Sequence, residues 1–367
     1  MKIGILTFFE SDNYGTVLQA YALQDYIESL GHQAILIHLK RNINATSSHF
    51  KPASRTYTLA QRIWNRVVMQ KTSKLAVKKK AGFQKFRDGY LNITPVCYES
   101  GEAFLKDASQ YDLLISGGDQ IWNPYHKVFS LQYMLDFLPE NYKRVSYGSS
   151  FGVDKIEDQK ILENMKNALK NYKALAVRET SGIEIIKEMG LQVEQVVDPV
   201  FLRPERWKTF VQKDSPMKRK YGLVYALIDY SDECDKEIKN YAKENQLELV
   251  ILPDNRRNCM NRYQKKFGLS PIEFLNYIAH SEIVFTNSFH GLAFAILFKK
   301  KVVILEPLSN EAKSKQNRLF NLIDVLGMGS CDFRAIKEPI DYETVDRTLN
   351  EKIEKSRSYL LQIMEGK

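Results

Sequence analysis

The sequence predicts an α/β protein built from two doubly wound parallel-sheet domains that face each other across a cleft. Three observations predict it. Short apolar runs of β-formers, such as Lys2 to Phe8, Tyr111 to Ile115 and Ile283-Val284-Phe285, are too short to be helices and are followed by helical stretches. Strand, loop and helix in regular succession are the pattern of a parallel sheet flanked by helices. The pattern occurs twice, on either side of the charged stretch RPERWKTFVQKDSPMKRK, and 367 residues suit two domains at roughly 150 residues each.

Taken in order, Lys2 to Phe8 is the first strand. The turn Ser11-Asp12-Asn13-Tyr14-Gly15 leads to a helix over Thr16 to Leu30, closed by Gly31, and Ala34 to Leu39 is the second strand. Strands follow at Tyr111 to Ile115, Arg144 to Tyr147, Ala174 to Val177 and Val193 to Val197, with helices over Ile156 to Lys170 and Thr180 to Glu188. Beyond Lys220 come strand Tyr221 to Leu227, helix Asp232 to Asn245, strand Glu248 to Leu252 and helix Pro271 to His280. Ser270, Pro271 and Glu273 make a good start for the last of these. The segment SEIVFTNSFHGLAFAILFKKKVVIL reads as strand, polar turn, helix and strand. In Tyr342 to Met364, Val345, Leu349, Ile353, Leu360 and Met364 fall at helical spacing. The expected boundaries are 1–205 for the first domain, 206–335 for the second and 336–367 for a final helix.

Composition narrows the class. Apolar residues make up 44%, enough for a sizeable core. Cys97, Cys234, Cys259 and Cys331 form no C-x-x-C pair, so a reduced, cytoplasmic setting is expected rather than a zinc or dithiol site. Glu10 and Asp12 end the N-terminal apolar run, which reads as a strand rather than a signal peptide. The net charge of +9 is concentrated in a basic insertion at about 40–90: Lys40 to Arg87 holds thirteen Lys/Arg and no Asp or Glu, leaving −4 (9 − 13) for the rest. There Ile63, Trp64, Val67, Val68 and Leu75 lie at helical spacing among Arg62, Arg66, Lys74 and Lys78 to Lys80. Such a helix could lie peripherally on an anionic membrane surface, or pack its stripe on the protein with its charges in water. Lack of binding to anionic liposomes at low salt would rule out the first. No nucleic-acid motif accompanies the charge.

His290 is the residue best placed for chemistry. It follows a strand, stands at a helix start capped by Thr286-Asn287-Ser288, and precedes Gly291, where a missing Cβ lets a ligand approach. Such positions, outside strand carboxyl ends and at helix N-termini, bind ligands and favour anions. The other five histidines lack this context. Arg178, directly after the strand Ala174 to Val177, could hold a carboxylate or phosphate bidentately, or could pair with Glu179 or Glu184. Lys313, Lys315 and Arg318 add positive charge after the strand Val302 to Leu305. On the first domain, Asn13, Tyr14 and Gly15 form either a ligand loop or a helix-capping turn. Gly118, Asp119 and Gln120 could approach and bind sugar hydroxyls, or form a tight turn. Ser149 and Ser150 repeat that arrangement.

Missing motifs narrow the field further. There is no G-x-G-x-x-G after the first strand, no G-x-x-x-x-G-K-[ST] loop, no H-E-x-x-H and no D-x-D. Gly148-Ser149-Ser150-Phe151-Gly152 fits G-x-S-x-G, but Val153-Asp154-Lys155 separate it from the next helix, unlike a nucleophile elbow. One His, one Arg, nearby Lys and several hydroxyl or amide loops suit a small phosphorylated anion and a polyol partner.

These residues resemble the polysaccharide pyruvyl transferase family over most of the chain. The likeness runs through NYGTVLQAYAL, DLLISGGDQIWNP, YGSSFG, LAVRETSG, VVDPVFL and SEIVFTNSFHGLAFAILFKKKVVIL, in that order. It implies a GT-B-like fold of two Rossmann-like halves, with a C-terminal helix crossing back to the first. It also implies metal-independent transfer of a pyruvyl group from phosphoenolpyruvate, as co-substrate and with no cofactor, to two hydroxyls of a sugar. By the resemblance His290 is the essential histidine and Arg178 a donor-binding arginine, with Asn287, Ser288, Gly291, Lys313 and Lys315 on the donor side. Several members carry an arginine where this chain has Ser288; Lys313, Lys315 or Arg318 could stand in for it. Asn13, Tyr14, Gly15, Gly118, Asp119, Gln120, Ser149 and Ser150 would face the sugar or lipid-linked oligosaccharide. The alternatives are a glycosyltransferase using a nucleotide sugar and a non-catalytic relative that binds a sugar or anion.

Overall fold

The computed structural model describes residues 1–41, 76–126, 128–253, 263–308 and 316–365. In the first half, β1 (Lys2–Leu6), β2 (Gln33–Leu36), β3 (Leu113–Ser116) and β4 (Arg144–Ser146) form a parallel sheet in the order β2-β1-β3-β4. Bridges from Val145 to Ala174 and from Ser149 to Val177 extend it toward the pair β5 (Ala176–Val177) and β6 (Glu194–Gln195). In the second half, β7 (Tyr221–Ala226), β8 (Glu248–Pro253), β9 (Gln264–Lys265), β10 (Ile283–Thr286) and β11 (Lys301–Ile304) form a parallel sheet in the order β11-β10-β7-β8-β9. These are two Rossmann-like halves. Strand order reverses between β1 and β3 in one and between β7 and β10 in the other, and such reversals open a crevice at the strands' carboxyl ends.

The helices that follow these strands carry the loops of interest. Helix α1 (Tyr14–Ser29) starts where the Asn13 side chain accepts from the Thr16 N–H. The helix Phe289–Leu297 starts where the Ser288 hydroxyl accepts from Gly291 N–H. This second helix is buried on almost every side, and one apolar cluster joins Val17, Leu18 and Tyr21 of α1 to Leu292, Phe294 and Ile296. The halves therefore share a core.

The stretch 203–220, which reads as a linker, contains the short helix Pro204–Lys208. Its charges mask one anchor: Trp207 is buried, donates to the Val200 carbonyl at 2.6 Å and packs edge-on against Phe294 across the halves. The C-terminal helix Tyr342–Glu365 contacts the first half: Arg357 donates to the Leu202 carbonyl and Tyr359 to the Ser146 carbonyl, and Ser356 accepts from Val197 N–H. In the basic insertion, residues 76–90 are helical and turn Phe83 and Phe86 into the core. Trp64 and the stripe around it lie outside the described residues, as do Lys313, Lys315 and Cys259. No helix among the described residues is long and apolar enough to cross a membrane.

Candidate functional site

Arg178 and His290 come together from opposite halves, joined by a carboxylate absent from the sequence-derived set. Arg178 leaves β5 into a buried pocket, and its guanidinium faces three acids. Nη1 donates to Asp198 Oδ2 at 2.5 Å, Nε donates to Glu179 Oε2 at 3.3 Å, and Nη2 donates to Asp119 Oδ1 and to Ser150 Oγ. Its flat face stacks on the Phe289 ring at 4.3 Å, a cation–π contact reaching from the first half to the helix of His290. Glu179 is itself fixed, accepting from the Phe151 and Gly152 N–H groups. Glu184, the other acid weighed as a partner for Arg178, pairs instead with Lys187.

Asp198 is the hinge of the arrangement. It follows β6 in an Asp-Pro step, and its Oδ1 accepts from Val200 N–H at 3.1 Å, capping a short 3-10 helix. That bond aims Oδ2 at Arg178 Nη1 and at His290 Nε2, the latter at 3.6 Å. Nε2 is buried without a hydrogen-bond partner among the described residues, and the His290 side chain is only 4% exposed. Burial opposes ionisation of Asp198, but His290 and Arg178 outweigh it and hold the carboxyl below the usual range. Asp119 shows the same balance: Arg178, Arg318 and His290 outweigh burial and keep its carboxyl well below that range. Around Arg178, burial disfavours the cation, and Asp119, Asp198 and Glu179 reverse that preference.

Arg318, from the helix Asn317–Val325 of the second half, donates through Nη1 to the same Asp119 oxygen at 2.7 Å. One carboxylate oxygen thus bridges guanidinium groups from both halves. Asn317 to Asp154 at 2.6 Å and Asn321 to Thr180 at 2.9 Å hold the same seam closed.

Gly15 is where the first half receives the histidine. A Cβ built there would lie 2.1 Å from His290 Nδ1 and 2.5 Å from its Cγ. Alanine is otherwise the better helix former by roughly 0.5–1 kcal/mol, so the sign of Gly15→Ala is diagnostic. We expect destabilisation of about 1–3 kcal/mol from the forced ring displacement, read by thermal melts. A stabilised variant would mean that the histidine does not pack on α1.

Several other sequence-derived candidates prove to have their polar groups engaged by the fold. Asn13 caps α1 and is partly exposed. Tyr14 points into the shared core rather than toward an acceptor, stacked on Phe274 at 4.2 Å, with its hydroxyl donating to the Leu269 carbonyl. At Gly118, with φ +124°, the close approach is to Thr7 and Gln19 of the chain itself, 2.4 Å from the site of a Cβ in the first case. Gln120 takes a left-handed φ of 51°, and its amide oxygen accepts from Asn123. Ser149 is fully buried, with its hydroxyl donating to the Ser116 carbonyl. Ser150 sits against Arg178, and the next helix begins only at Gln159, so the G-x-S-x-G stretch is not a nucleophile elbow. On the second half, Asn287 braces the loop after β7 by accepting from Leu227 N–H and donating to the Ile228 carbonyl. Ser288 is a helix cap, and Gly291 leaves space that a Cβ would take from Thr286 Oγ1, 2.4 Å away. Asn287 and Ser288 thus use their side chains, and Gly291 its missing Cβ, to build the turn that carries His290.

Residues 13–309 match the family model described as polysaccharide pyruvyl transferase. The chain belongs to that family. No curated protein matches it. Among solved structures it resembles a UDP-N-acetylglucosamine 2-epimerase assignment from Listeria monocytogenes at 14% identity and TM-score 0.51, covering 100% of this chain and 96% of that one. It also resembles an α-glucosyltransferase in complex with UDP and DNA, at 10% identity and TM-score 0.53, with 99% and 95% covered. A UDP-GlcNAc 2-epimerase from Methanocaldococcus jannaschii stands at 11% and 0.50, with both chains covered in full. At these identities the likeness concerns fold, and it gives this pyruvyl transferase family member a GT-B-like architecture. For a transferase of this family, the meeting of His290, Asp198 and Arg178 at the two sheet crevices is the candidate active site.

Proposed function

We propose that this protein transfers the pyruvyl group of phosphoenolpyruvate to two hydroxyls of a sugar, forming a cyclic ketal in the assembly of a cell-surface polysaccharide. The observation that carries this reading is the convergence of an imidazole, a carboxylate that faces it and two arginines in one buried cluster between the halves. Family membership supports the reaction class.

The chemistry follows from those groups. A protonated imidazole delivers its proton to the terminal methylene carbon of the enol, which becomes a methyl group and leaves C2 oxocarbenium-like. Histidine suits this work because its charge changes near neutral pH. Asp198 Oδ2 faces Nε2 at 3.6 Å, where it can orient the ring for that transfer. One sugar hydroxyl adds to C2, phosphate departs with the C–O bonding pair, and the second hydroxyl closes the ketal. Of the two hydroxyl protons, one restores the imidazolium and the other leaves with the phosphate, so atoms and charge balance. No step passes through a metal. The acceptor sits against the first half near the partly exposed Asn13, Asp119 and Gln120, at the crevice between β1 and β3. Phosphate release from phosphoenolpyruvate, dependent on a sugar diol, tests the proposal; a sugar panel that yields none would refute it.

A further inference from the structure

Beside the Arg178 cluster a cleft of about 120 Å³ opens between the first half, the helix Asn317–Val325 and the C-terminal helix. Phe201, Phe289 and Leu349 supply apolar wall, and Arg178, Arg318 and Lys352 bring positive charge. Lys355 also reaches it but pairs with Glu194 at 2.9 Å. The two acids on its lining, Glu179 and Asp198, already hold Arg178.

Arg318 is incompletely satisfied. Its Nη1 shares the Asp119 oxygen with Arg178, yet its Nε is buried with no partner among the described residues. A buried guanidinium N–H without an acceptor is unfavourable, and a ligand oxygen would relieve it. Lys352 makes no ion pair among the described residues. Asp119 meanwhile presents to both arginines the group that an anionic ligand would present.

We propose that this cleft binds a small phosphorylated carboxylate on a short apolar body, with Arg318 and Lys352 as its anion ligands. The ligand's carboxylate or phosphate takes the place between the two arginines that Asp119 fills. On the transferase reading, on which this rests, the ligand is phosphoenolpyruvate, and the C-terminal helix contributes directly to the donor site.

Calorimetric titration of the full chain with phosphoenolpyruvate and with inorganic phosphate tests it. Arg318→Gln should weaken phosphoenolpyruvate binding about tenfold or more, the scale of a charged hydrogen bond. Lys352→Gln should weaken it about threefold, as for a half-exposed charge, in a variant that leaves the core untouched. Asp119→Asn should tighten phosphate binding, because the competing charge is gone. Unchanged affinity in both the Arg318 and Lys352 variants, or weaker phosphate binding in Asp119→Asn, would overturn the assignment. If affinities are unchanged while the protein still turns over phosphoenolpyruvate, the cleft assignment fails and the transferase reading stands. If phosphate binding depends on Arg318 and Lys352 but phosphoenolpyruvate is never consumed, the cleft stands and the transferase reading fails.

Discussion

Arg178→Gln is expected to destabilise the protein by about 3–5 kcal/mol, the cost of breaking a buried ion pair by removing one partner. Three carboxylates converge on this one guanidinium, from Asp119, Glu179 and Asp198, and the Arg178 side chain is only 2% exposed. Without it, Asp198 keeps His290 and Val200 N–H, and Asp119 keeps Arg318. Glu179 keeps two backbone donors but loses its cation. The surviving acids are left under-neutralised inside the protein, and the Phe289 ring loses its cation. Against a total stability of roughly 5–15 kcal/mol, the change should appear as a melting temperature lower by several degrees. Arg178→Lys should recover part of the loss, since it restores the charge but not the fork that spans three acceptors. A melting temperature unchanged in Arg178→Gln would show that the cluster does not hold the halves together.

His290→Ala is expected to lower the rate of ketal formation by about 10²–10⁴, the usual contribution of a positioned general acid–base group. The fold should tolerate the change better than the loss of Arg178, because Nε2 makes no hydrogen bond among the described residues and the cavity left is that of one ring. The effect should fall on the maximal rate more than on the donor's apparent affinity, since the anion ligands are elsewhere. Steady-state phosphate release across donor concentrations separates the two. Asp198→Asn, which keeps the shape and removes the charge facing the imidazole, should reduce the rate in the same sense. Full activity in His290→Ala would remove the mechanism.

The outline of the fold was legible because each strand is short, apolar and followed by a recognisable helix start. TNSFHG could be placed correctly from local chemistry alone: Ser288 caps the helix and His290 stands in its first turn. Asn13 could be read as a ligand-loop residue or a cap, and its side chain does cap α1. Less legible was which groups meet across the cleft. Asp198 lies 20 positions from Arg178, and Arg318 lies 199 from Asp119, so no local pattern links them. The Asp-Pro step after a two-residue strand looks like an ordinary helix start, which it also is; its second oxygen carries the added role. Gly118 and Gly291 were read as room for a ligand, and Gly15 as part of a ligand loop or a capping turn. Gly15, Gly118 and Gly291 instead make room for His290, Thr7 and Thr286 of the chain itself. Close approach is visible in a sequence as glycine, but what approaches is decided by tertiary packing.

The central claim is that the cluster between the halves carries out ketal transfer from phosphoenolpyruvate. Its most direct test is incubation of the purified protein with phosphoenolpyruvate and a panel of sugar diols, including lipid-linked ones, followed by mass spectrometry of the sugars and assay of free phosphate. The expected result is one acceptor that gains a pyruvyl ketal with one phosphate released per adduct, lost in His290→Ala. A glycosyl adduct formed from a nucleotide sugar instead, with phosphoenolpyruvate left intact, would contradict it.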